Sequence, residues 1–477
     1  MQAYLQYRRI GQAVQKQIDE YPELTQLEKT PAPEPSAESE ADVDAAPEGK
    51  PLDVDESRPL PPGITLQNRI DGNTGAPTQV YLVGWTDEDD PLNPLNYTLS
   101  TRLAATLNVT ALAFIVGAAS SIESGVLPQN AAAYGVSDVV ASLATGIYLL
   151  GFGTGSLVSG PLSEILGRNA VYAGSLTLFM IFVMATGLAP NIGAQLAFRF
   201  LAGIFGCPPL TCAGGTVADL WRPLEKTLIF PMYAILSFGG PVLGPVIASW
   251  MGQGVLSWRW TSWIILIASG LVMGTIILFQ PETYSQLILK WKAHQLRVRT
   301  GNQGFCSEMD LEKTAVLSRM AVAGLREFQL TVHEPIVLLI SLYMTIIYIV
   351  LFTFFDGYEY IFMDVHGLSQ GLKNIVWVAM YTGIMLVAFL VPLVYRWTKR
   401  EYQEAEAAVE AETGEKKAAQ TRPENRLWFA MMGCPFIPIG LFWMGWTDYV
   451  RSSPSLLYYK CANKLTKSRA LFQSGLP

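Results

Sequence analysis

From residue 103 onward the chain alternates between long apolar runs and shorter polar breaks. The runs cover 103–123, 139–159, 170–188, 195–212, 228–250, 261–279, 335–355, 375–395 and 427–446. Each approaches the roughly 20 residues that an α-helix needs to cross the hydrocarbon of a bilayer. The pattern predicts an all-α polytopic membrane protein with about nine spans. Small residues recur inside the runs, as in Gly151-Phe-Gly153-Thr-Gly155. In lipid such residues let helix backbones approach closely.

The polar breaks differ in charge. The break after the sixth run holds Lys290, Lys292, Arg297, Arg299, Lys313, Arg319 and Arg326. The break after the eighth holds Arg396, Lys399, Arg400, Lys416, Lys417, Arg422 and Arg426. Those after the first and third runs carry no lysine or arginine, and the one after the seventh carries only Lys373. Lysine and arginine in short loops stay on the cytoplasmic side, so the even-numbered loops and the N-terminus are expected there. Charge of this density is read as topology alone. The expected organisation is a cytoplasmic, largely disordered acidic tail over 1–100 and a six-helix half over 101–280. A basic cytoplasmic linker over 281–334, a partial second half of three helices over 335–447 and a divergent polar tail over 448–477 follow.

Composition narrows the class. Half of the 477 residues are hydrophobic and 15% are charged, against about 25% charged in soluble chains. The net charge of −7 owes much to the Pro-, Ala-, Glu- and Asp-rich stretch 31–62, which reads as a disordered linker. Residues 1–20 are weakly amphipathic, with Arg8, Arg9 and Lys16; a cytoplasmic tail fits them better than an organellar transit peptide. No apolar core of a secretory signal lies in the first 100 residues. The cysteines and histidines are scattered, without metal-ligand spacing, so no metal and no cofactor are expected. The sequence has no phosphate-binding loop, which argues against an ATP-driven pump, and no catalytic constellation, which argues against an enzyme. A nucleic-acid partner is not expected.

Four glycine- and charge-marked motifs lie on consecutive runs. They are Gly160-Pro-Leu-Ser-Glu164-Ile-Leu-Gly167-Arg168, Arg199-Phe-Leu-Ala-Gly203-Ile-Phe-Gly206, Gly214-Gly215-Thr-Val-Ala-Asp219 and Gly239-Gly240-Pro241-Val-Leu-Gly244-Pro245. A charge at hydrocarbon depth is costly, which marks Arg199 as functional. Gly-Pro breaks at that depth are tolerated where neighbouring helices or a cavity satisfy the backbone. Further signatures are Asp90-Pro-Leu-Asn-Pro94-Leu-Asn96-Tyr, Trp258-Arg259-Trp260, Pro281-Glu282-Thr283-Tyr284, Lys292-Ala293 with Leu296-Arg297 and Thr300-Gly301, Glu334-Pro335, and Pro423-Glu424-Asn-Arg426-Leu427. In their order and spacing, from 85 to 447, they make the chain resemble the major facilitator superfamily. Within it the chain is similar to the fungal drug:proton antiporters of the twelve-span type.

That resemblance implies roles for particular residues. Arg168 and Asp219 are expected on one face, as an ion pair latching the state closed to the cytoplasm or as a plain topology anchor. Glu164 takes the motif's acidic position, whereas Ile165 and Asn169 replace basic ones. Arg199 is expected to face the bundle interior and tune proton coupling by lowering a nearby carboxylate's pKa; hydrogen bonding to carbonyls at a helix break is the alternative. Gly239, Gly240, Pro241, Gly244 and Pro245 form the antiporter motif, either bending and sealing the cavity or packing helices. Glu123, Asp356 and Glu359 fall at outer span ends rather than mid-membrane. Glu123, as the acid within the first-half cavity helices, is the proton-carrier candidate. Tyr148, Phe152, Tyr233, Phe238, Tyr343, Tyr348 and Trp377 are candidate substrate-cavity aromatics, or else packing and belt residues.

A complete member has twelve helices, and here the similarity ends near Trp446-Thr447. The basic tail beyond falls on the outer side in a nine-span count, against the charge rule, so a C-terminus lacking three helices is expected. The reading is a monomeric plasma-membrane efflux carrier, multi-pass, with its N-terminus cytoplasmic. It exchanges protons for a small amphipathic organic compound such as a secondary metabolite, toxin or drug. A polyamine:proton antiporter and a non-transporting truncated membrane protein are the alternatives; polyamines need cavity carboxylates, which are scarce in the runs.

Overall fold

The computed structural model describes residues 2–25, 27, 60–70, 77–251, 256–311, 322, 324–325, 329–358, 361–363, 367–413, 435 and 438–442. The tail 448–477, Glu359, most of the ninth expected span and all but the end of 31–62 lie outside the described residues.

Ahead of the spans come helix α1 (Gln2–Glu20) and an antiparallel hairpin, β1 (Ile64–Ile70) and β2 (Pro77–Val83). The first span runs unbroken from Leu99 to Tyr134 through α2 (Leu99–Ser121), a 3-10 turn (Ile122–Val126) and α3 (Leu127–Tyr134). Then follow α4 (Asp138–Leu166) and α5 (Arg168–Gly187). The fourth span is made of α6 (Ile192–Gly206), α7 (Pro208–Thr211) and α8 (Ala213–Leu220), interrupted where Pro208 and Pro209 withhold backbone N–H groups. After α9 (Pro223–Ile247) and α10 (Trp260–Phe279) the chain leaves the apolar region through α11 (Ser285–Thr300), β3 (Phe305–Cys306) and α12 (Glu308–Leu311). It returns in α13 (Pro335–Tyr358) and α14 (Gln370–Thr413). Among the described residues, 8 helices are long and apolar enough to cross a membrane.

The chain divides into two compact units. One holds Met1–Val350 with Asn374–Lys399 and contains every feature analysed below. The other holds Leu351–Lys373 with Arg400–Pro477; its described part includes a left-handed turn at Gly367 (φ +71°) and the polar extension of α14.

In the first unit α2 packs on α9 and α10, α4 on α6, and α5 on α6 and α10. The α2–α9 contact shows what the Gly-Pro motif does locally. A Cβ on Gly240 would overlap the Phe114 carbonyl, and one on Gly244 would overlap the Ser121 hydroxyl, so the two backbones meet directly. Pro245 has no N–H to give the carbonyl of Pro241, one turn earlier. Ser121 Oγ on α2 donates to that carbonyl at 2.6 Å. The helix break is therefore satisfied by its neighbour, and Gly239 faces the Tyr381 ring of α14.

The first 100 residues are not disordered throughout. Ile10, Val14 and Leu24 form a closed apolar cluster with Ile64, Tyr81 and Val83 of the hairpin and with Ile288, Ala293, Leu296 and Phe305 beyond α10. Strand β2 also pairs in parallel with β3. Polar α1 has little apolar surface of its own, and the surface that covers it lies nearly 280 residues away in sequence. We call the side of the molecule carrying this assembly the basic face.

Candidate functional site

Two arginines sit buried at opposite ends of the six-helix bundle. Asn191 opens α6, its Oδ1 accepting the Ala194 N–H at 2.8 Å. One turn separates Gln195 from Arg199, which places both on the same helix face. Arg199 is 5% exposed and Glu123 is 3% exposed. Arg199 Nη2 lies 2.5 Å from Glu123 Oε1, and Nη1 donates to the Ala119 carbonyl at 2.5 Å. Gln195 Nε2 donates to the other Glu123 oxygen at 3.2 Å. The guanidinium also lies 5.5 Å from the Tyr148 ring centre, and the Tyr148 hydroxyl is held by the Val116 carbonyl at 3.0 Å. Among the described residues, Arg199 Nε has no hydrogen-bond partner. Arg199 lines a cavity of about 10 Å³ shared with Thr186, Thr261 and Ser262, roughly the room that one water needs.

Glu123 is thus not a solvated span-end charge, as its position in the sequence implies. The span continues for about two further turns past the 3-10 segment, so the carboxylate lies inside the bundle. The Glu-Ser-Gly sequence and Pro128 resemble a stop, but Pro128 stands in the first turn of α3, where a missing N–H costs nothing.

At the basic face, Gly167 takes φ +91° to end α4 and start α5 within one residue. Such a φ favours glycine, and a Cβ there would strike Glu282 and Leu287. Arg168 Nε then lies 3.3 Å from Asp219 Oδ2 on α8, Nη1 donates to Ser163 Oγ, and the guanidinium is 5.2 Å from the Tyr284 ring centre. Glu164 is exposed on the outer side of the same turn and is not brought to Arg168.

The carboxylate at this turn is instead Glu282, which follows α10. It accepts from the backbone N–H of Arg168 at 2.9 Å and of Asn169 at 3.2 Å, and from those of Thr283 and Tyr284 at 3.0 Å each. Glu282 thereby caps the start of α5, where Gly167 has no side chain to do so. Burial pushes its pKa up, and these backbone hydrogen bonds hold it back. Nearby, Lys292 is 2% exposed and donates to the Gly84 carbonyl at 3.0 Å and to Thr86 Oγ1 at 3.1 Å, with Asp90 Oδ2 at 3.6 Å. Burial pushes the Lys292 pKa down, and Asp90 pulls it back up. The two signatures Asp90-Pro-Leu-Asn-Pro94 and Pro281-Glu282-Thr283-Tyr284…Lys292 therefore meet in one assembly. The sequence alone assigns these signatures no role; their shared position beside span ends is the available signal.

The aromatic candidates separate by exposure. Tyr148 and Trp377 are 1% exposed and Tyr233 is 6% exposed. The Tyr233 hydroxyl is held by the Pro209 carbonyl at 2.9 Å. Phe152 is half-buried against the core. Phe238 and Tyr348 are more exposed and pair with ring centres 6.5 Å apart, and Tyr343 is half-buried. A further ion pair, Arg102–Glu225 at 2.9 Å, has its guanidinium 4.5 Å from the Trp221 ring centre.

The sequence profile of the Major Facilitator Superfamily matches residues 109–461. The chain is 44% identical over 407 residues to the MFS-type transporter kojT of Aspergillus oryzae, covering 85% of this chain and 70% of that one. It is 32% identical to the ascochitine biosynthesis cluster MFS transporter of Didymella fabae, covering 77% and 69%. It is also 32% identical to the transporter paaT of Penicillium rubens, covering 76% and 64%.

Proposed function

We propose, because the chain belongs to the Major Facilitator Superfamily and is a multi-pass membrane transporter, that it exports an amphipathic organic compound in exchange for protons. The relatives named for a biosynthesis cluster favour a secondary metabolite as cargo. The basic face is cytoplasmic, the membrane is the plasma membrane, and the carrier acts as a monomer. Residues 101–280 form one half of a pair that rocks about a midplane cavity against the half beginning at 335.

The observation carrying this reading is the buried Glu123–Arg199 pair. The pair joins a carboxylate on the first span to a guanidinium on the fourth, and Glu123 is the proton carrier. Protonation cancels the attraction and frees the guanidinium toward Ala119, Tyr148 and the small cavity, changing the contacts between the first and fourth spans. Gln195 keeps the carboxylate oriented in both states. At the other end, the Arg168–Asp219 pair latches the cytoplasmic side, and the Gly239–Pro245 segment seals α9 against α2. Phe238, Tyr343 and Tyr348 supply the accessible aromatic surface for cargo; Tyr148, Tyr233 and Trp377 support it from behind.

The test is efflux of a panel of radiolabelled amphipathic compounds from cells carrying the wild type or Glu123→Gln. Export that is abolished by a protonophore in the wild type, and lost in Glu123→Gln at equal membrane abundance, is the expected result. Protonophore-insensitive export would sink the exchange mechanism.

A further inference from the structure

Helix α1 reaches the Arg168 network through the Gln6 side chain. Gln6 Oε1 accepts from the Glu282 N–H at 2.8 Å, and Gln6 Nε2 donates to the Glu282 carbonyl at 3.2 Å. A primary amide thus satisfies both backbone groups of one residue, as a neighbouring strand would. Nε2 also donates to the Tyr97 hydroxyl at 2.6 Å, and that hydroxyl donates to the same carbonyl at 3.4 Å.

The rest of α1 is arranged to hold Gln6 there. Gln6, Ile10, Val14 and Gln17 follow one another at helical spacing and share a face. Ile10 and Val14 are fully buried in the apolar cluster, and Gln17 Nε2 donates to the Pro62 carbonyl at 3.2 Å. Gly11 leaves room for Arg299 and Gln295 of α11, and Arg299 Nη1 donates to Gln15. None of these contacts touches a membrane span, yet Gln6 binds the backbone of the residue whose carboxylate caps α5.

We propose that Gln6 is a positioning residue for the cytoplasmic gate: α1 fixes Glu282 beneath the Gly167 turn, and through it the start of α5 that carries Arg168 to Asp219. The inference rests on reading Arg168–Asp219 as a gate. An event that lifts α1, such as a modification or a partner taking its polar face, then loosens the gate without touching a transport residue.

Hydrogen exchange by mass spectrometry on the full chain in nanodiscs tests this without substrate or proton gradient. Gln6→Ala is expected to raise exchange about fivefold, the factor of one net hydrogen bond, at the amides of Arg168, Asn169, Thr283 and Tyr284. Exchange across Ile288–Leu296 stays unchanged, and the melting temperature falls by no more than a few degrees. Gln6→Glu keeps the acceptor for the Glu282 N–H and loses the donors, so it gives an intermediate rise. Tyr97→Phe leaves both Gln6–Glu282 bonds and stays near wild type. Unchanged exchange in folded Gln6→Ala overturns the proposal, as does an equal rise in Tyr97→Phe, which would indicate general loosening. If Gln6→Ala does not fold, wild-type exchange in Gln6→Glu overturns it equally. Raised exchange with unaltered efflux would overturn the gate reading while leaving the positioning of Glu282 by Gln6 intact.

Discussion

Glu123 and Glu282 are both almost inaccessible, at 3% and 2% exposure, yet they are held in opposite ways. Glu123 is gripped by side chains, a guanidinium and an amide, in a region with a spare donor and room for a water. Glu282 is gripped by four backbone N–H groups at the start of one helix and in its own turn. Side chains re-pair by rotation, whereas backbone donors move only when their helix moves. The first arrangement suits a carboxylate that changes charge during a cycle. The second suits one that fixes where a helix begins.

Removing the cation breaks this comparison most severely. Arg199→Ala leaves Glu123 buried with Gln195 as its hydrogen-bond donor, and losing one partner of a buried pair costs about 3–5 kcal/mol. The expected readout is a large fall in melting temperature in detergent, mostly recovered in Arg199→Ala/Glu123→Ala. A double variant as unstable as the single one would show that packing, not charge, makes Arg199 necessary. Arg168→Ala provides the contrast, because its side chain does not hold Glu282. The cap on α5 should survive it, with normal amide protection at Asn169.

Glu282→Ala is the matching subtraction at the basic face. It orphans the N–H groups of Arg168, Asn169, Thr283 and Tyr284, with a cost of about 1–3 kcal/mol where burial keeps water away. Thermal unfolding should show that loss, and Glu282→Gln, which still accepts through one oxygen, should fall between. Glu282→Gln should still export in dependence on a proton gradient, while Glu123→Gln should lose export. If both variants lose it equally, the two carboxylates do not differ as argued.

What the sequence made legible follows the same division. Hydropathy locates the spans because the bilayer imposes a length on each. Arg168 opens the third span and Asp219 lies near the close of the fourth, so counting puts both on one face, and the resemblance implies that they pair. The cost of a lipid-exposed guanidinium turns Arg199 inward. The sequence puts Glu123 at a span end because nothing local says that its helix continues beyond the 3-10 turn. The motif drew attention to Glu164, while Glu282 does the capping, because backbone donors leave no signature in side-chain types. The docking of helix α1 is illegible for a different reason: Ile10 and Val14 are too sparse to predict burial until the distant Ile288–Leu296 face is known.

A finer test uses a backbone acceptor held by a side chain, the reverse of Glu282. Ser121→Ala leaves the Pro241 carbonyl without its donor in the α2–α9 contact, at a cost near 1 kcal/mol. Melting temperature should fall by a few degrees. Gly240→Ala, which drives a Cβ into the Phe114 carbonyl, should lower it further. Equal tolerance of both would mean that α9 has room to shift and that the motif's seal is loose.

The smallest effect is expected from pH and separates Glu282 from Lys292 by sign. The Glu282 pKa is raised in the fold above its ordinary 4.5 because burial disfavours the charged form. Between 4.5 and the raised value the folded chain binds more protons than the unfolded one, so stability falls as pH rises through that window. Lys292 works in the other sense, its pKa lowered from 10.5 by burial, so stability rises with pH between its folded value and 10.5. The difference in melting temperature between wild type and Glu282→Gln should therefore shrink or reverse as pH climbs from about 4.5, while the alkaline slope of Lys292→Met is flattened instead. A pH-independent difference at Glu282 would mean that its four amide donors fully offset burial. The cap would then be as indifferent to protons as the coupling pair is proposed to be responsive.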